Sequence, residues 1–230
     1  MNKYSFILLS GGIGKRMQVN IPKQFLLLAG KPIFIHILEK VELLDEVVEV
    51  IMPCPKQFIE KTEAIIQDYG FSKPIHCIAG GETRQESVYN GLVYAKGADH
   101  VIIHEAVRPF VTVEQYKQLM HIKNENVIFG LDIPFTVLQG KTTVEGNLRR
   151  DQLVNVQLPH KYNAKQLLYA HECARKDQQI FTEDASLYYH YYHSTIEILA
   201  GSEYNIKITK PLDRKIAEII YKDYISMGVI

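Results

Sequence analysis

The chain has 230 residues, of which 47% are hydrophobic and 23% are charged. That length suits one large domain, and the apolar content supports a packed core and argues against disorder. Basic and acidic residues balance at 26 each, so the bulk charge gives no reason to expect binding to nucleic acid or to an anionic membrane.

Short apolar runs alternate with amphipathic stretches along the chain. Residues 4–9 (YSFILL) form a continuous apolar run that ends at glycines, which is typical of a strand buried on both faces of a sheet. The other predicted strands span residues 46–52, 75–78, 100–104 and 195–199. The predicted helices begin at about residue 32, span 56–69, 87–95, 112–122, 164–175 and 182–190, and begin again at about 211. Gly70 ends the second of them and Thr112 is the expected N-cap of the fourth.

This rhythm of strand and helix predicts an α/β fold, namely a doubly wound, mainly parallel sheet. In such sheets ligands bind beyond the carboxyl ends of the strands. Residues 135–160 differ, since they are rich in threonine, valine and turn signals. They predict a β-hairpin or β-arm that protrudes for dimerisation, on a single domain spanning residues 1–230.

Cysteine usage and hydropathy bear on the cellular compartment. Cys54, Cys77 and Cys173 form no metal-binding spacing, which favours reduced thiols in a cytoplasmic protein. The apolar run near the N-terminus is too short for a signal peptide, and no run approaches the roughly 20 residues of a membrane-spanning helix. We therefore expect a cytoplasmic protein without a membrane partner.

A glycine loop follows the first predicted strand. Gly11, Gly12 and Gly14 are followed by Arg16 and Lys23. Glycines let backbone N–H groups approach a phosphate closely, arginine can bind a phosphate through two hydrogen bonds, and lysine is a compact charge. The spacing is neither GxGxxG nor GxxxxGK[ST], so this stretch alone leaves open phosphate binding or a solvated turn.

Four segments resemble the motifs of the 2-C-methyl-D-erythritol 4-phosphate cytidylyltransferase family, which includes ribitol-5-phosphate cytidylyltransferases. They run in the family's order over nearly the whole chain. The segments are GGIGKRM with PKQF (residues 11–17 and 22–25), GGETRQESVYNGL (80–92), IHEAVRPF (103–110) and GSEYNIKITKPLD (201–213).

The resemblance implies a nucleotide-diphospho-sugar transferase-like Rossmann variant that works as a homodimer. It also implies transfer of CMP from CTP to a polyol phosphate, with Mg²⁺ and with release of pyrophosphate. Arg16, Lys23 and Lys207 match the family's catalytic cations around the α-phosphorus. The nucleotide-binding positions match Ser10, Gly11, Gly12, Gly14, Gly80, Gly81, Arg84 and Ser87. For Ser87 a role as a helix N-cap is an equal alternative.

Two regions depart from the family pattern. Glu105 stands where the family has the aspartate that helps to hold Mg²⁺, and it is the expected metal ligand here. Arg150, Thr136 and Thr182 match the acceptor-binding positions least closely, and Lys161 is an additional cation beside them. For Thr182 a helix cap is an equal alternative.

The acceptor therefore stays open between methylerythritol phosphate and ribitol phosphate or another alditol phosphate. A hypothesis from another class is a nucleotide-binding relic that has lost turnover. The change to Glu105 and the altered segment at 158–162 favour that hypothesis, whereas Arg16, Lys23 and Lys207 argue against it.

Overall fold

The computed structural model describes residues 2–11, 25–95 and 97–226. The strands it contains are β1 (Tyr4–Leu9), β2 (Leu27–Leu28), β3 (Lys31–Pro32), β4 (Val47–Cys54), β5 (Ile75–Ala79), β6 (His100–Glu105), β7 (Val127–Asp132), β8 (Leu138–Gln139), β9 (Gly146–Asn147), β10 (Val154–Asn163) and β11 (Glu197–Ala200). The helices are α1 (Ile33–Glu42), α2 (Ile59–Tyr69), α3 (Arg84–Tyr94), α4 (Val113–His121), α5 (Ala164–Lys176), α6 (Asp184–Tyr192) and α7 (Pro211–Ser226). No helix in the described ranges combines the length and the apolar character that crossing a membrane requires.

Within those ranges, seven strands form one sheet in the order β11-β7-β10-β6-β1-β4-β5. Strand β1 pairs in parallel with β4 and β6, β4 with β5, and β7 with β11. Only β10 is antiparallel to both of its neighbours in this sheet. The sheet is therefore mainly parallel, as the alternation of strands and helices predicted.

Helices cover both faces of the sheet, and the period of two along β1 explains why. Phe6 and Leu8 point into a core shared with α1 and α4, whereas Ile7 and Leu9 point into a second core shared with α3, α5 and α6. Because both faces are buried, the last four residues of the strand (FILL) are all apolar rather than apolar at alternate positions, and the buried Ser5 hydroxyl donates to the Glu49 carboxylate at 2.6 Å. Each such side chain contributes roughly 1.5–3 kcal/mol on burial, before the entropy of ordering the chain is counted.

The predicted arm is shorter in the structure than in the sequence analysis. Strands β8 and β9 form a separate two-stranded hairpin, and residues 135–153 are called the arm below. From Val154 onward the chain enters the main sheet as β10, and its second half is buried. Pro159 and the polar residues around it hid this strand, since they break the apolar alternation that marks one.

The carboxyl ends of β1, β5, β6 and β11 all lie at the same edge of the main sheet. The register places Leu9 beside Glu105, so the segments that follow β1 and β6 leave the sheet together. The chain segment after β11 is joined to the one after β6 by a backbone hydrogen bond from Ile208 to Val107. The motif segments that follow β5, β6 and β11 are thereby brought to one crevice, together with Gly11, the described residue of the first motif segment.

Candidate functional site

A cavity of about 290 Å³ opens at this edge of the sheet. Its walls come from the ends of β1 and β6, from the loop between β5 and α3, and from the segment after β11. The lining residues are Leu9, Ser10, Gly11, Gly81, Glu82, Thr83, Arg84, Ser87, Glu105, Ala106, Val107, Lys207 and Thr209. Seven of the residues predicted from the sequence are among them, and Gly80 lies next to Gly81 in the same loop.

The wall formed by the end of β1 consists of Leu9, Ser10 and Gly11, and Gly11 is the last described residue before residue 25. The backbone N–H of Ser10 donates to the Pro53 carbonyl at 3.0 Å, which fixes the chain as it leaves β1. The Ser10 hydroxyl is buried without a hydrogen-bond partner in the described part of the chain. Gly12, Gly14, Arg16 and Lys23 lie outside the described residues, so their predicted roles stay predictions.

The loop between β5 and α3 needs a glycine at position 81. A Cβ atom there would lie 2.2 Å from the Glu86 Cβ and 3.0 Å from the Glu86 carbonyl carbon, closer than van der Waals contact allows. The Gly81 N–H donates to the Ser87 hydroxyl at 3.1 Å, and that hydroxyl donates to the Thr83 carbonyl at 2.9 Å. Ser87 thus holds the loop that forms one wall of the cavity.

The N-cap of α3 is Thr83 rather than Ser87, so the alternative reading of Ser87 as a cap is wrong. The Thr83 hydroxyl accepts from the Glu86 N–H, and the Glu86 carboxylate accepts from the Thr83 N–H, which together form a capping box. The helix therefore begins three residues earlier than the sequence predicted, because the short polar residue that starts it was passed over in favour of the later serine.

Opposite this loop, Glu105 is held between two cations. The Lys207 ammonium lies 2.6 Å from one of its oxygens, and the Arg108 Nε donates to the other at 3.0 Å. Burial alone would raise the pKa of Glu105, but Lys207 and Arg108 outweigh it and lower the pKa to about 2. Glu105 is therefore a carboxylate at neutral pH, and Lys207 keeps 42% of its side chain exposed toward the cavity.

The segment that carries Lys207 is rigidly attached at both ends. Asn205 is buried and its side chain donates to the Leu158 carbonyl, while the Arg108 guanidinium donates to the Asn205 carbonyl at 2.9 Å. The Asp213 carboxylate accepts from the backbone N–H groups of Thr209 and Lys210 at the start of α7. The asparagine, lysine, threonine and aspartate of the motif thus have separate tasks, and only Lys207 and Thr209 of these line the cavity.

Arg84 lines the cavity but pairs with carboxylates. One of its terminal nitrogens lies 3.0 Å from the Glu183 carboxylate and 2.7 Å from that of Asp184. Burial by itself would lower the pKa of Arg84, yet Asp184 and Glu183 raise it. Burial raises the pKa of Glu183 to about 7, whereas the Arg84 charge outweighs burial and lowers the pKa of Asp184.

The same cluster contains residue types that bind metals. Ligand atoms of His160, Glu183 and Asp184 lie within 4.8 Å of one another. The Arg84 guanidinium already pairs with both carboxylates, so a divalent cation would meet a resident positive charge there. Glu105 also pairs with cations, Lys207 and Arg108, but it lines the cavity, whereas His160, Glu183 and Asp184 do not. Glu105 is therefore the better candidate for Mg²⁺, because proteins commonly hold this ion through one or two carboxylates completed by substrate phosphates.

The predicted acceptor residues do not line this cavity. Arg150 donates to the Pro134 carbonyl at 2.9 Å and lines a separate groove of about 730 Å³ at the base of the arm. Thr136 is exposed on the arm, and Thr182 is exposed just before α6. Asn163 and Glu183, not Thr182, cap α5 and α6, so the alternative of Thr182 as a helix cap is wrong.

Lys161, the additional cation of the sequence, lies away from both cavities. Its side chain is buried, and its ammonium donates to the Ile122 carbonyl at 2.7 Å, at the end of α4. Burial lowers the pKa of Lys161 to about 8. It satisfies carbonyls at a helix C-terminus, a structural task that its position in the sequence did not indicate.

The sequence analysis missed several residues of the site. Glu82, Thr83, Ala106, Val107 and Thr209 also line the cavity. Each of them lies within one of the recognised motif segments, so the motif indicated its neighbourhood in the site but not the residue itself. The partnership of Arg84 with Asp184 had no such signal, since 100 positions separate the two residues.

Comparisons with known proteins give the family and the fold. A family model described as 2-C-methyl-D-erythritol 4-phosphate cytidylyltransferase matches residues 5–223. The protein of that name from Bacillus cytotoxicus is 34% identical to this chain over 218 residues, covering 94% of this chain and 96% of its own. A ribitol-5-phosphate cytidylyltransferase from Lactiplantibacillus plantarum is 30% identical and covers 93% and 96% of the two chains. The solved 2-C-methyl-D-erythritol 4-phosphate cytidylyltransferase of Francisella tularensis is 28% identical, with a TM-score of 0.78 over 96% of this chain and 100% of that one.

Proposed function

The chain belongs to the 2-C-methyl-D-erythritol 4-phosphate cytidylyltransferase family, and we propose that it transfers CMP from CTP to a small polyol phosphate and releases pyrophosphate. The observation that carries the proposal is the cavity at the sheet edge, where Lys207, a buried carboxylate and the loop around Gly81 meet. The family's nucleotide-binding and cationic motifs supply these residues.

The reaction needs positioning and positive charge more than it needs a base. An oxygen of the acceptor phosphate attacks the α-phosphorus of CTP, a new P–O bond forms, and the bond to the leaving pyrophosphate breaks. The nucleophile is already anionic, so no side chain has to remove a proton. Negative charge grows on the non-bridging and leaving oxygens, and fixed cations stabilise it more than they stabilise the ground state.

Lys207 is the described cation best suited to this task. The Glu105 carboxylate and the anchored segment around Asn205 hold its ammonium at the cavity, so little reorganisation is needed when phosphate oxygens arrive. We propose that Arg16 and Lys23, which lie outside the described residues, bind the triphosphate from the opposite side. Positioning and electrostatics then supply most of the rate enhancement.

The nucleotide's base is proposed to bind against the loop that follows β5. Backbone groups beside Gly80 and Gly81 can approach a pyrimidine edge closely, because position 81 leaves no room for a side chain. Ser87 fixes the loop by two hydrogen bonds. Ser10, Gly11, Gly12 and Gly14 are proposed to cradle the phosphates.

Mg²⁺ is the proposed cofactor, and Glu105 is the residue that would hold it together with the substrate phosphates. When bound, the ion would offset negative charge on the triphosphate. Glu105 is ionised at neutral pH, since its pKa is lowered to about 2, so it is in the form that a metal requires.

The acceptor is proposed to be methylerythritol phosphate, with ribitol-5-phosphate as the second candidate. The relatives at 34% identity carry the first name, and the relative from Lactiplantibacillus plantarum at 30% identity favours the second. Thr182 is proposed to face the acceptor from the same protomer, while Arg150 and Thr136 on the arm would reach it from a second protomer.

We therefore propose a homodimer built through the arm. Phe135 and Val144 are 78% and 70% exposed, and Leu138 and Leu148 on the same arm are also exposed. Several exposed apolar side chains on one segment are consistent with packing against another copy. We place the enzyme in the cytoplasm, where nucleoside triphosphates are available to it.

Pyrophosphate release tests the proposal directly. The purified chain is incubated with CTP, Mg²⁺ and either methylerythritol phosphate or ribitol-5-phosphate, and pyrophosphate is measured over time. We expect release with one of the two acceptors, and none when UTP or ATP replaces CTP. Binding of CTP without release in the presence of either acceptor would instead support a relic that has lost turnover.

A further inference from the structure

Two helix N-termini meet behind the nucleotide loop. Arg84 is the first residue of α3, and Asp184 is the first residue of α6. The Arg84 guanidinium lies 2.7 Å from Asp184, which is 1% exposed, and 3.0 Å from Glu183. These ion pairs join two segments that are 100 positions apart in the chain.

The position of this arginine is not explained by the stability of its own helix. A cation in the first turn of a helix opposes the helix dipole, which favours negative charge there. Two carboxylates from the start of α6 compensate the charge, and the same dipole rule favours their position. The pairing therefore stabilises the junction between the two helices rather than either helix alone.

A second residue of α3 makes a parallel connection. The Gln85 side chain accepts from the Phe181 N–H at 2.7 Å and donates to the Gln179 carbonyl at 3.1 Å. Arg84 and Gln85 thus hold the segment 179–184 at four points. We call Arg84, Gln85, Glu183 and Asp184 the clamp.

Arg84 and Gln85 of the clamp directly follow the loop between β5 and α3, which contains Gly81 and is called the nucleotide loop here. Thr83 and Glu86 form the capping box of α3, and Ser87 binds the Gly81 N–H. A shift of the segment 179–184 would therefore pull on the first turn of α3, and through it on the loop at Gly81. The segment 179–184 and the nucleotide loop are therefore connected through the first turn of α3.

We propose that Arg84 is a positioning residue that acts on acceptor binding through Glu183 and Asp184, and that it does not read the nucleobase. This inference rests on the proposed function, in which Thr182 faces the acceptor and lies inside the clamped segment. The clamp fixes the distance between the acceptor phosphate and the α-phosphorus, which a reaction that depends on alignment requires.

The test uses the full-length wild type and two variants in the pyrophosphate assay. Gln85→Ala removes two hydrogen bonds of the clamp and leaves no buried charge without a partner, so it should fold. It is expected to raise the KM for the acceptor roughly 3- to 10-fold, the loss expected for ordinary hydrogen bonds, with little change in the KM for CTP. Gln118→Ala, an exposed glutamine on α4, is the matched control and should leave both constants unchanged.

The second variant separates positioning from base recognition. Arg84→Lys keeps the charge but loses the fixed geometry of the guanidinium. It is expected to raise the acceptor KM in the same way and to leave the preference for CTP over UTP as in the wild type. A changed CTP preference in Arg84→Lys, or an unchanged acceptor KM in Gln85→Ala, would overturn the inference while wild-type turnover upholds the proposed function. Absence of turnover in the wild type would overturn both.

Discussion

The Lys207 ammonium lies 2.6 Å from the Glu105 carboxylate, and a bound triphosphate would present further anionic oxygens to the same group. Arg108 also binds Glu105, so the carboxylate keeps one cationic partner when Lys207 turns toward phosphate. The Glu105 carboxylate thus holds Lys207, the proposed catalytic lysine, at the cavity and leaves it able to exchange this carboxylate for phosphate oxygens.

Replacing Lys207 by alanine should therefore affect turnover far more than folding. We expect Lys207→Ala to lower kcat by about 10²-fold or more, the range for losing one preorganised donor to a developing anion. Lys210→Ala removes the same charge from an exposed position three residues away and should leave kcat unchanged. Steady-state kinetics of pyrophosphate release measure both variants, and near-wild-type turnover in Lys207→Ala would refute the role of this lysine.

His104 makes stability depend on pH at the end of β6. Its imidazole is fully buried against Phe6 and Tyr116, and its Nε2–H donates to the Arg108 carbonyl at 3.0 Å. Burial lowers the pKa of His104 to about 3, against 6.5 for an unperturbed imidazole. The unfolded chain therefore takes up a proton between pH 6.5 and 3 that the folded chain refuses, and stability is lost as the pH falls through this window.

The predicted consequence is a steeper acid loss of stability in the wild type than in His104→Leu. One such group changes the free energy of unfolding by about 1.4 kcal/mol per pH unit within the window. Urea unfolding at several pH values from 8 to 4.5 gives the slope for each protein. Equal slopes below pH 6.5 would show that His104 does not titrate differently in the folded and unfolded chains.

Among the elements, α3 and α4 begin with the same device in different surroundings. Thr83 with Glu86 and Thr112 with Gln115 each form a capping box. The first stands at the cavity, whereas Thr112 and Gln115 do not line it. Variants at the two caps can therefore distinguish the effect of a lost cap on helix stability from its effect on the shape of the site.

Thr83→Ala and Thr112→Ala should each lower the free energy of unfolding by about 1 kcal/mol, as the loss of an N-cap does. Only Thr83→Ala should also weaken CTP binding. The Thr83 hydroxyl accepts from the Glu86 N–H, and its loss loosens the first turn of α3, where the Thr83 backbone carbonyl accepts from the Ser87 hydroxyl that binds the Gly81 N–H. Chemical denaturation and calorimetric titration with CTP measure the two effects. Equal CTP affinity in both variants would mean that the loop does not need its cap.

The strands differ in how well the sequence predicted them. Strand β1 was predicted with its observed bounds, because a strand buried on both faces carries one unbroken apolar signal. The sequence analysis did not find β7, whose Gly130 packs against Ile198 without room for a side chain. A glycine inside a strand is locally disfavoured, and it interrupts the apolar run VIFGLD, which is as long as β1.

The sequence predicted those residues of the candidate site that the strand topology places, and it did not predict the contacts that depend on side-chain packing. Glu105, Lys207 and the loop at Gly81 follow the carboxyl ends of strands in a mainly parallel sheet, so topology alone brings them together. The partners of Arg84 and the burial of Lys161 depend on side-chain packing between distant segments. Motif order can identify such residues but cannot say which way they face.

At the scale of the whole molecule, the arm is an apolar surface on a chain whose charge is balanced. Beyond Phe135 and Val144, Leu138 and Leu148 are also exposed on it. The isolated hairpin of β8 and β9 has two residues in each strand, and so short a hairpin is only marginally stable on its own in water. Packing against a second copy would stabilise it and would cover its apolar side chains together.

We expect the wild type to form the proposed dimer and the double variant Phe135→Ser/Val144→Ser to be monomeric, as measured by size-exclusion chromatography with light scattering. Because Arg150 and Thr136 would reach the acceptor from the partner protomer, the variant should also lose kcat/KM for the acceptor while it still binds CTP. Leu43 is another exposed apolar residue, at the end of α1 and 64% exposed. The variant Leu43→Ser controls for a general loss of surface hydrophobicity and should stay dimeric. A wild-type monomer, or a double variant that keeps twice the chain mass, would show that the arm does not form the interface, and the acceptor site would then have to be completed within one protomer.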